Sequence, residues 1–136
     1  HCVRSGNIVY VSGKGPWLEG ATPTVAAQGK LGVGLSVEEA YQMAESCGRM
    51  ILSVLRRELG GDLNRVVRVV KVFGMLNCPS GFGKHQAVLD GLSDLFVQVF
   101  GLARGRHART VAGTGSLPGG LILEVEAEFE VADVPV

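Results

Sequence analysis

The amino-acid sequence predicts an α+β domain in which two helices pack on one face of a mixed β-sheet. Three features indicate this: two amphipathic stretches of helical length, a long valine-rich strand between them, and strand patterns at both ends of the chain. The order of strand, helix, long strand, helix and hairpin is typical of two layers around one core. Residues 1–136 are predicted to form a single domain, because chains of this length rarely divide.

The opening strand is predicted over Ile8–Ser12, and the glycine- and proline-containing turn Ser12–Pro16 ends it. Glycines in this turn would let a ligand approach the backbone, although a plain loop is the alternative interpretation. Residues Trp17 to Gln28 predict an irregular connection that closes with a short strand.

The first helix is predicted from Ser36 to about Leu59. Ser36 and Glu39 have the spacing of a capping box, in which each side chain bonds to the backbone of the other residue. Apolar residues then recur at three- and four-residue spacing, and Gly60-Gly61 ends the helix. Gly48 inside the helix is interpreted as a site of close packing against the sheet.

The run from Leu63 to Phe73 is dense in valine, as expected for a strand buried on both faces. Strict alternation places Val67, Val69 and Phe73 on one face, and Val66, Val70 and Val72 on the other. Two helices cover one face only, so the other needs a second copy of the chain. The composition, with 46% hydrophobic and 19% charged residues, also favours an oligomer.

A second helix is predicted from His85 to Phe100, with Gly101 as its C-terminal cap. The last strand is predicted over Leu121–Val131, with apolar residues on one face and glutamates on the other. The glutamates after Glu124 are interpreted as a solvated face opposite basic residues of a neighbouring strand.

The C-terminal third of the chain predicts a candidate site. The strand patterns at Thr110–Ala112 and Leu121–Val131 are separated by the break Leu117–Gly120, and we predict that they pair as a hairpin. Pairing around this break would bring Arg109 and Glu124 toward the same end of the sheet. There a guanidinium could hold an anionic ligand while a carboxylate handled a proton or a water.

Composition limits the classes of partner. Thirteen basic and thirteen acidic residues give a net charge of zero, so no overall field favours nucleic acid or an anionic membrane. The apolar runs fall short of the roughly 20 residues that span a bilayer, and we expect a soluble cytoplasmic protein.

The three histidines and three cysteines lack ligand-like spacing, so no metal is expected. Cys47 is predicted to lie in the core, and Cys78 is the cysteine to test for reactivity.

Several motifs together resemble one known family. Ala108-Arg109, Ser116-Leu117-Pro118 and Leu123–Ala127 resemble the C-terminal signature of the reactive intermediate deaminases, also called YjgF-like or L-PSP endoribonuclease proteins. Ser5–Gly13 and Asp62–Phe73 are similar to the opening and central strands of that family, so the resemblance covers nearly the whole chain. It implies a chorismate-mutase-like fold that forms a homotrimer with ligand clefts between subunits.

The resemblance also implies an activity: hydrolysis of enamines and imines, such as 2-aminoacrylate and 2-imino acids, to 2-keto acids and ammonia, without a cofactor. Arg109 would bind the substrate carboxylate bidentately, and Glu124 would orient or deprotonate the attacking water. Backbone N–H groups near Ser12 and Gly13 would position the substrate. The chain resembles a divergent branch, because Val111 stands where the best-studied deaminases carry cysteine.

Two other function classes remain open. A non-catalytic module that binds small carboxylate metabolites would need Arg109 but not Glu124. RNA cleavage, which the family's other name reflects, is disfavoured by zero net charge and few aromatic residues, and rests on the local cluster from Arg104 to Arg109.

Overall fold

A computed structural model describes residues 1–16 and 28–136 as a five-stranded sheet with two long helices on one face. The strands are β1 Cys2–Ser5, β2 Ile8–Lys14, β3 Val66–Asn77, β4 Ala108–Thr114 and β5 Leu123–Val131. The helices are α1 Val37–Glu58, α2 His85–Phe100 and the short α3 Leu102–Gly105. The predicted irregular connection lies outside the described residues except for Gln28, which forms an isolated bridge with Leu121. Within the described ranges, no helix combines the length and apolar character needed to cross a membrane.

The strand order β1-β2-β5-β3-β4 corrects the predicted hairpin. The strand that contains Thr110–Ala112 does not pair with the strand that ends at Val131, because β3 lies between them. β4 runs parallel to β3, whereas β5 runs antiparallel to β3 on its other side. A parallel pair of strands requires a crossover connection, and helix α2 supplies it. The sequence pattern of strand, helix and strand over β3, α2 and β4 therefore predicts this topology better than the glycine-rich break Leu117–Gly120 does.

Both helix predictions are confirmed. Ser36 Oγ accepts a hydrogen bond from the Glu39 N–H at 3.1 Å, and the Ser36 N–H donates to Glu39 Oε2 at 2.8 Å, which completes the capping box. Gly60 follows α1 with φ 68°, and Gly101 ends α2 with φ 78°, both in the left-handed region that favours glycine.

Two glycines let α1 and α2 approach each other closely. An added Cβ at Gly48 would lie 2.9 Å from the Leu95 side chain of α2, so Gly48 packs against the other helix and not against the sheet as predicted. An added Cβ at Gly91 would overlap the backbone carbonyl of Tyr41. At the same crossing, the Tyr41 hydroxyl donates to Asp94 at 2.6 Å, which raises the pKa of Tyr41 to about 12.

Irregularities in β3 change which valines face the core. Two register shifts, between Val66 and Arg68 and between Val69 and Lys71, each insert an extra residue. The strict alternation predicted for this strand is therefore wrong. The valines of β3 that face the helices and are fully buried are Val66, Val69 and Val72.

Strand β5 alternates as predicted. Its apolar residues from Leu123 to Val131 are buried in the core, and its glutamates lie on the other face, where Lys71 pairs with Glu128 and Arg68 with Glu130. We call this face, which also bears Tyr10, Phe73 and Met75, the open face. The described helices lie on the opposite side, so Tyr10 is 46% exposed, while Phe73 and Met75 are half-buried.

Gly91→Ala is expected to lower the free energy of unfolding by about 1–3 kcal/mol, because the added methyl group meets the α1 backbone, which cannot move independently. This cost exceeds the roughly 1 kcal/mol that alanine gains over glycine inside a helix. Urea unfolding of the variant measures it. Gly81→Ala is the control, since an added Cβ there has no atom within 4 Å. Wild-type stability of Gly91→Ala would contradict the close helix crossing.

Candidate functional site

The predicted site residues Arg109 and Glu124 lie on opposite faces of the sheet. Arg109 pairs with the fully buried Val72 of β3 and therefore projects toward the helices. Glu124 pairs with Met75 and stands between buried residues of β5, so it projects to the open face. Within one protomer the structure does not bring the two side chains together.

The guanidinium of Arg109 is held by three polar side chains of α2. Its Nη1 donates to Asp90 Oδ1 at 2.8 Å and to Ser93 Oγ at 3.1 Å, and its Nη2 donates to Gln86 Oε1 at 2.6 Å. The Arg109 side chain is 19% exposed. Since a guanidinium carries about five N–H hydrogens, the bonds to described residues leave about two for a ligand. Asp90 and Gln86 thus fix the orientation of the group without exhausting its donors.

His107 continues this network on the buried side. Its Nδ1 lies 2.7 Å from the Gly105 carbonyl oxygen, and its Nε2 lies 2.9 Å from Ser93 Oγ. The carbonyl can only accept, so we assign the proton to Nδ1, and Nε2 then accepts from the Ser93 hydroxyl. Burial lowers the pKa of His107, and the nearby Arg109 charge lowers it further. This neutral ring is a structural support for Ser93 and, through it, for Arg109.

Sequence reasoning missed the three side chains of α2 that hold Arg109. The amide that contacts Arg109 belongs to Gln86, in the first turn of α2. The available signal was the spacing of Gln86, Asp90 and Ser93, which places their side chains on one face of a helix.

Ser12, Gly13 and Glu124 meet at a bulge in β2. Val11 pairs with Ala127 and Lys14 with Val125, so Ser12 and Gly13 together stand opposite a single residue of β5. The predicted turn at Ser12–Pro16 is therefore strand as far as Lys14. An added Cβ at Gly13 would lie 2.8 Å from Glu124 Cδ, so the carboxylate rests directly against the strand backbone where glycine leaves room.

Lys14 supplies a cation at this bulge that sequence reasoning did not assign to the site. The residue is 9% exposed, and its Nζ donates to Ser12 Oγ at 3.2 Å. Burial lowers the pKa of Lys14, while the charge of Glu124 is among the effects that oppose this shift. A buried lysine influenced by a carboxylate is a common component of functional sites.

A cavity of about 320 Å³ opens on the open face beside the bulge. This volume falls within the range of small-molecule sites, which starts at roughly 300 Å³. The walls of the cavity include Tyr10, Ser12, Lys71, Phe73, Glu126 and Glu128. The carboxylates of β5 that were predicted to face solvent thus line a concave surface.

Comparison with known proteins identifies clear relatives. The family described as "YjgF/chorismate_mutase-like, putative endoribonuclease" matches residues 3–125. Protein TCP17 of Trypanosoma cruzi is 39% identical over 130 residues, which cover 95% of this chain and 78% of TCP17.

Two solved structures share the fold over nearly the whole chain. Atu1372 of Agrobacterium tumefaciens, whose function is unknown, is 36% identical with a TM-score of 0.89, and the match covers 98% of this chain and 82% of Atu1372. A protein of Shewanella oneidensis described as a "putative endoribonuclease" is 28% identical with a TM-score of 0.87, covering 96% and 83% of the two chains.

The lowered pKa of His107 predicts a pH dependence of stability. As the pH falls through the unfolded value of 6.5, the unfolded chain binds a proton that the folded chain still excludes, so the free energy of unfolding decreases. His107→Asn removes this titrating group and should flatten the curve of stability against pH below the unfolded value of 6.5. Urea unfolding at several pH values measures the slope. A variant slope equal to that of the wild type would contradict the assignment.

Proposed function

Because the chain belongs to the YjgF/chorismate-mutase-like family, we propose that it hydrolyses reactive enamines and imines, such as 2-aminoacrylate and 2-imino acids, to 2-keto acids and ammonia. The family resemblance predicted from the motifs is confirmed by these matches. The observation that carries the proposal is the Glu124 carboxylate resting against Gly13 at the β2 bulge, in the electrostatic reach of the Lys14 ammonium.

Glu124 is the proton acceptor in this proposal. Water that adds to the carbon of a C=N bond must lose a proton, and a carboxylate at hydrogen-bond distance can accept it and return it to the departing nitrogen. The Lys14 ammonium places a positive charge near this carboxylate. The Ser12 N–H already donates to the His1 carbonyl oxygen at 3.2 Å, so positioning of the substrate by the backbone falls to Gly13.

Arg109 is the anchor for the substrate carboxylate. Its planar fork can bind a carboxylate through two parallel bonds, which a lysine cannot do. Asp90 and Gln86 hold the fork in place before the ligand arrives, so little side-chain freedom is lost on binding. Val111 lies on the same face of β4, two residues after Arg109, so this position beside the anchor carries no thiol.

The separation of Arg109 from Glu124 supports a site shared between protomers. One protomer holds the two groups on opposite faces, so a ligand that touches both must contact two copies of the chain. Arg109 lies on β4, an edge strand that a neighbour can reach, and Tyr10 and Phe73 offer apolar surface on the open face. We propose a homotrimer, the closed cyclic assembly in which each interface carries one such site.

Release of ammonia and 2-keto acid from freshly generated 2-aminoacrylate and longer 2-imino acids tests the proposal. Glu124→Gln should lower kcat by about 10²–10⁴-fold, because the proton acceptor is lost. Arg109→Ala should mainly raise KM, because the carboxylate anchor is lost. The matched controls are Glu130→Gln, on the same face of β5, and the exposed Arg106→Ala, and both should retain wild-type turnover.

A folded wild-type protein that fails to accelerate the spontaneous reaction would overturn the deaminase proposal for these substrates. Calorimetry with a 2-keto acid would then test the binding module, for which Arg109→Ala should abolish binding and Glu124→Gln should not. The RNA alternative has less support than the sequence indicated, because the Arg104 guanidinium donates to the Val66 carbonyl oxygen at 2.6 and 3.0 Å and lies over the Phe100 ring.

A further inference from the structure

A second cavity, of about 420 Å³, lies where β3 and β4 end. Its walls include Cys78, Phe82, His85, Gly113 and Thr114. Gly113 follows Arg109 by four residues on β4, a distance of about 13 Å along a strand. Arg109 is not among the residues that line this cavity, although Gln86, the chain neighbour of His85, bonds to its guanidinium.

The cavity wall places a thiol beside an imidazole. Cys78 Sγ lies 3.6 Å from His85 Nε2, within hydrogen-bond reach for sulfur. The Phe82 ring meets the His85 ring edge to face, with centroids 5.1 Å apart, which limits rotation of the imidazole. The Cys78 N–H donates to the Thr114 carbonyl oxygen at 3.2 Å, which ties the cysteine to the end of β4. Both partners of the pair are thus fixed by neighbouring elements.

Gly113 makes room for the two members of this pair. An added Cβ at this position would lie 2.8 Å from Cys78 Sγ and 3.0 Å from His85 Nε2. Gly115, two residues further along, has no atom within 4 Å of an added Cβ. The glycine at 113 therefore lets the sulfur and the ring nitrogen meet directly against the β4 backbone, in the wall of the cavity.

The topology favours reactivity at this place. β3 and β4 are parallel and α2 connects them, and ligands of open α/β sheets bind beyond the carboxyl ends of such strands. His85 is the first residue of α2, which has no side-chain cap, so the positive end of the helix dipole faces the cavity wall. Among the residues that line the cavity, the ionisable groups are the His85 imidazole and the Cys78 thiol.

We propose that Cys78 and His85 form a nucleophilic pair that reacts with small uncharged electrophiles bearing a carbon–carbon double bond conjugated to a carbonyl. His85 Nε2 takes the thiol proton, and the thiolate adds to the β-carbon. The S–C bond forms as the π electrons of the double bond move toward the carbonyl, and the imidazolium returns the proton to the α-carbon. Atoms and electrons balance without an oxidant or a cofactor.

N-ethylmaleimide, an uncharged conjugated acceptor, is the probe. Peptide mass spectrometry of the folded full chain gives the alkylation rate of each cysteine, and glutathione measured in parallel gives the rate of an ordinary thiol. Cys78 should react at least about tenfold faster than glutathione, and His85→Gln should slow Cys78 at least about tenfold. Burial raises the pKa of the Cys2 and Cys47 thiols, so both should react slowly.

Gly113→Ala and Gly115→Ala separate the geometry of the pair from general effects on the fold. Gly113→Ala should slow Cys78 alkylation strongly, and Gly115→Ala should leave it unchanged. Cys78 that reacts no faster than glutathione, or that reacts equally fast in His85→Gln, would overturn the proposal. Thermal unfolding identifies variants that fail to fold, and if Gly113→Ala is among them, the comparison of His85→Gln with the wild type decides.

Discussion

The pairing of β3 on both of its sides is the constraint on which the rest of the structure depends. One face of this strand packs into the core through Val66, Val69 and Val72. Its two edges form hydrogen-bonded ladders with β5 and β4. Because α2 returns the chain parallel to β3, β4 pairs with one edge of β3 and its residues contact α2. Strand β5 lies between the other edge of β3 and β2. The location of every candidate group follows from this arrangement: Arg109 under α2, Glu124 at the β2 bulge, and Cys78 where β3 ends.

Local signals in the sequence predicted the local structure well. The capping box at Ser36, the terminal Gly101 and the alternation of β5 each depend on residues only a few positions apart, and each is present. Non-local features were missed. Strand order depends on which edge of β3 each later strand meets, and the bulges of β2 and β3 depend on packing across the sheet, which residue types alone do not specify.

The same distinction holds for the candidate site. The motifs around Arg109 and Glu124 identified the family, but they did not show that the two side chains project from opposite faces of the sheet. Gln86 and Lys14 carry no motif, and their roles follow from position: one lies on the face of α2 above Arg109, and the other ends a bulge beside Glu124. A polar side chain next to a motif residue is more readily identified from coordinates than from sequence.

The most direct test of a site shared between protomers is complementation between Arg109→Ala and Glu124→Gln. The two variants are unfolded together, refolded as an equal mixture and assayed on 2-aminoacrylate, with light scattering to establish the assembly. If each site takes Arg109 from one protomer and Glu124 from its neighbour, random mixing in a closed ring restores about a quarter of the wild-type kcat/KM, although each variant alone retains little of it. A mixed oligomer as inactive as its parents would contradict a shared site.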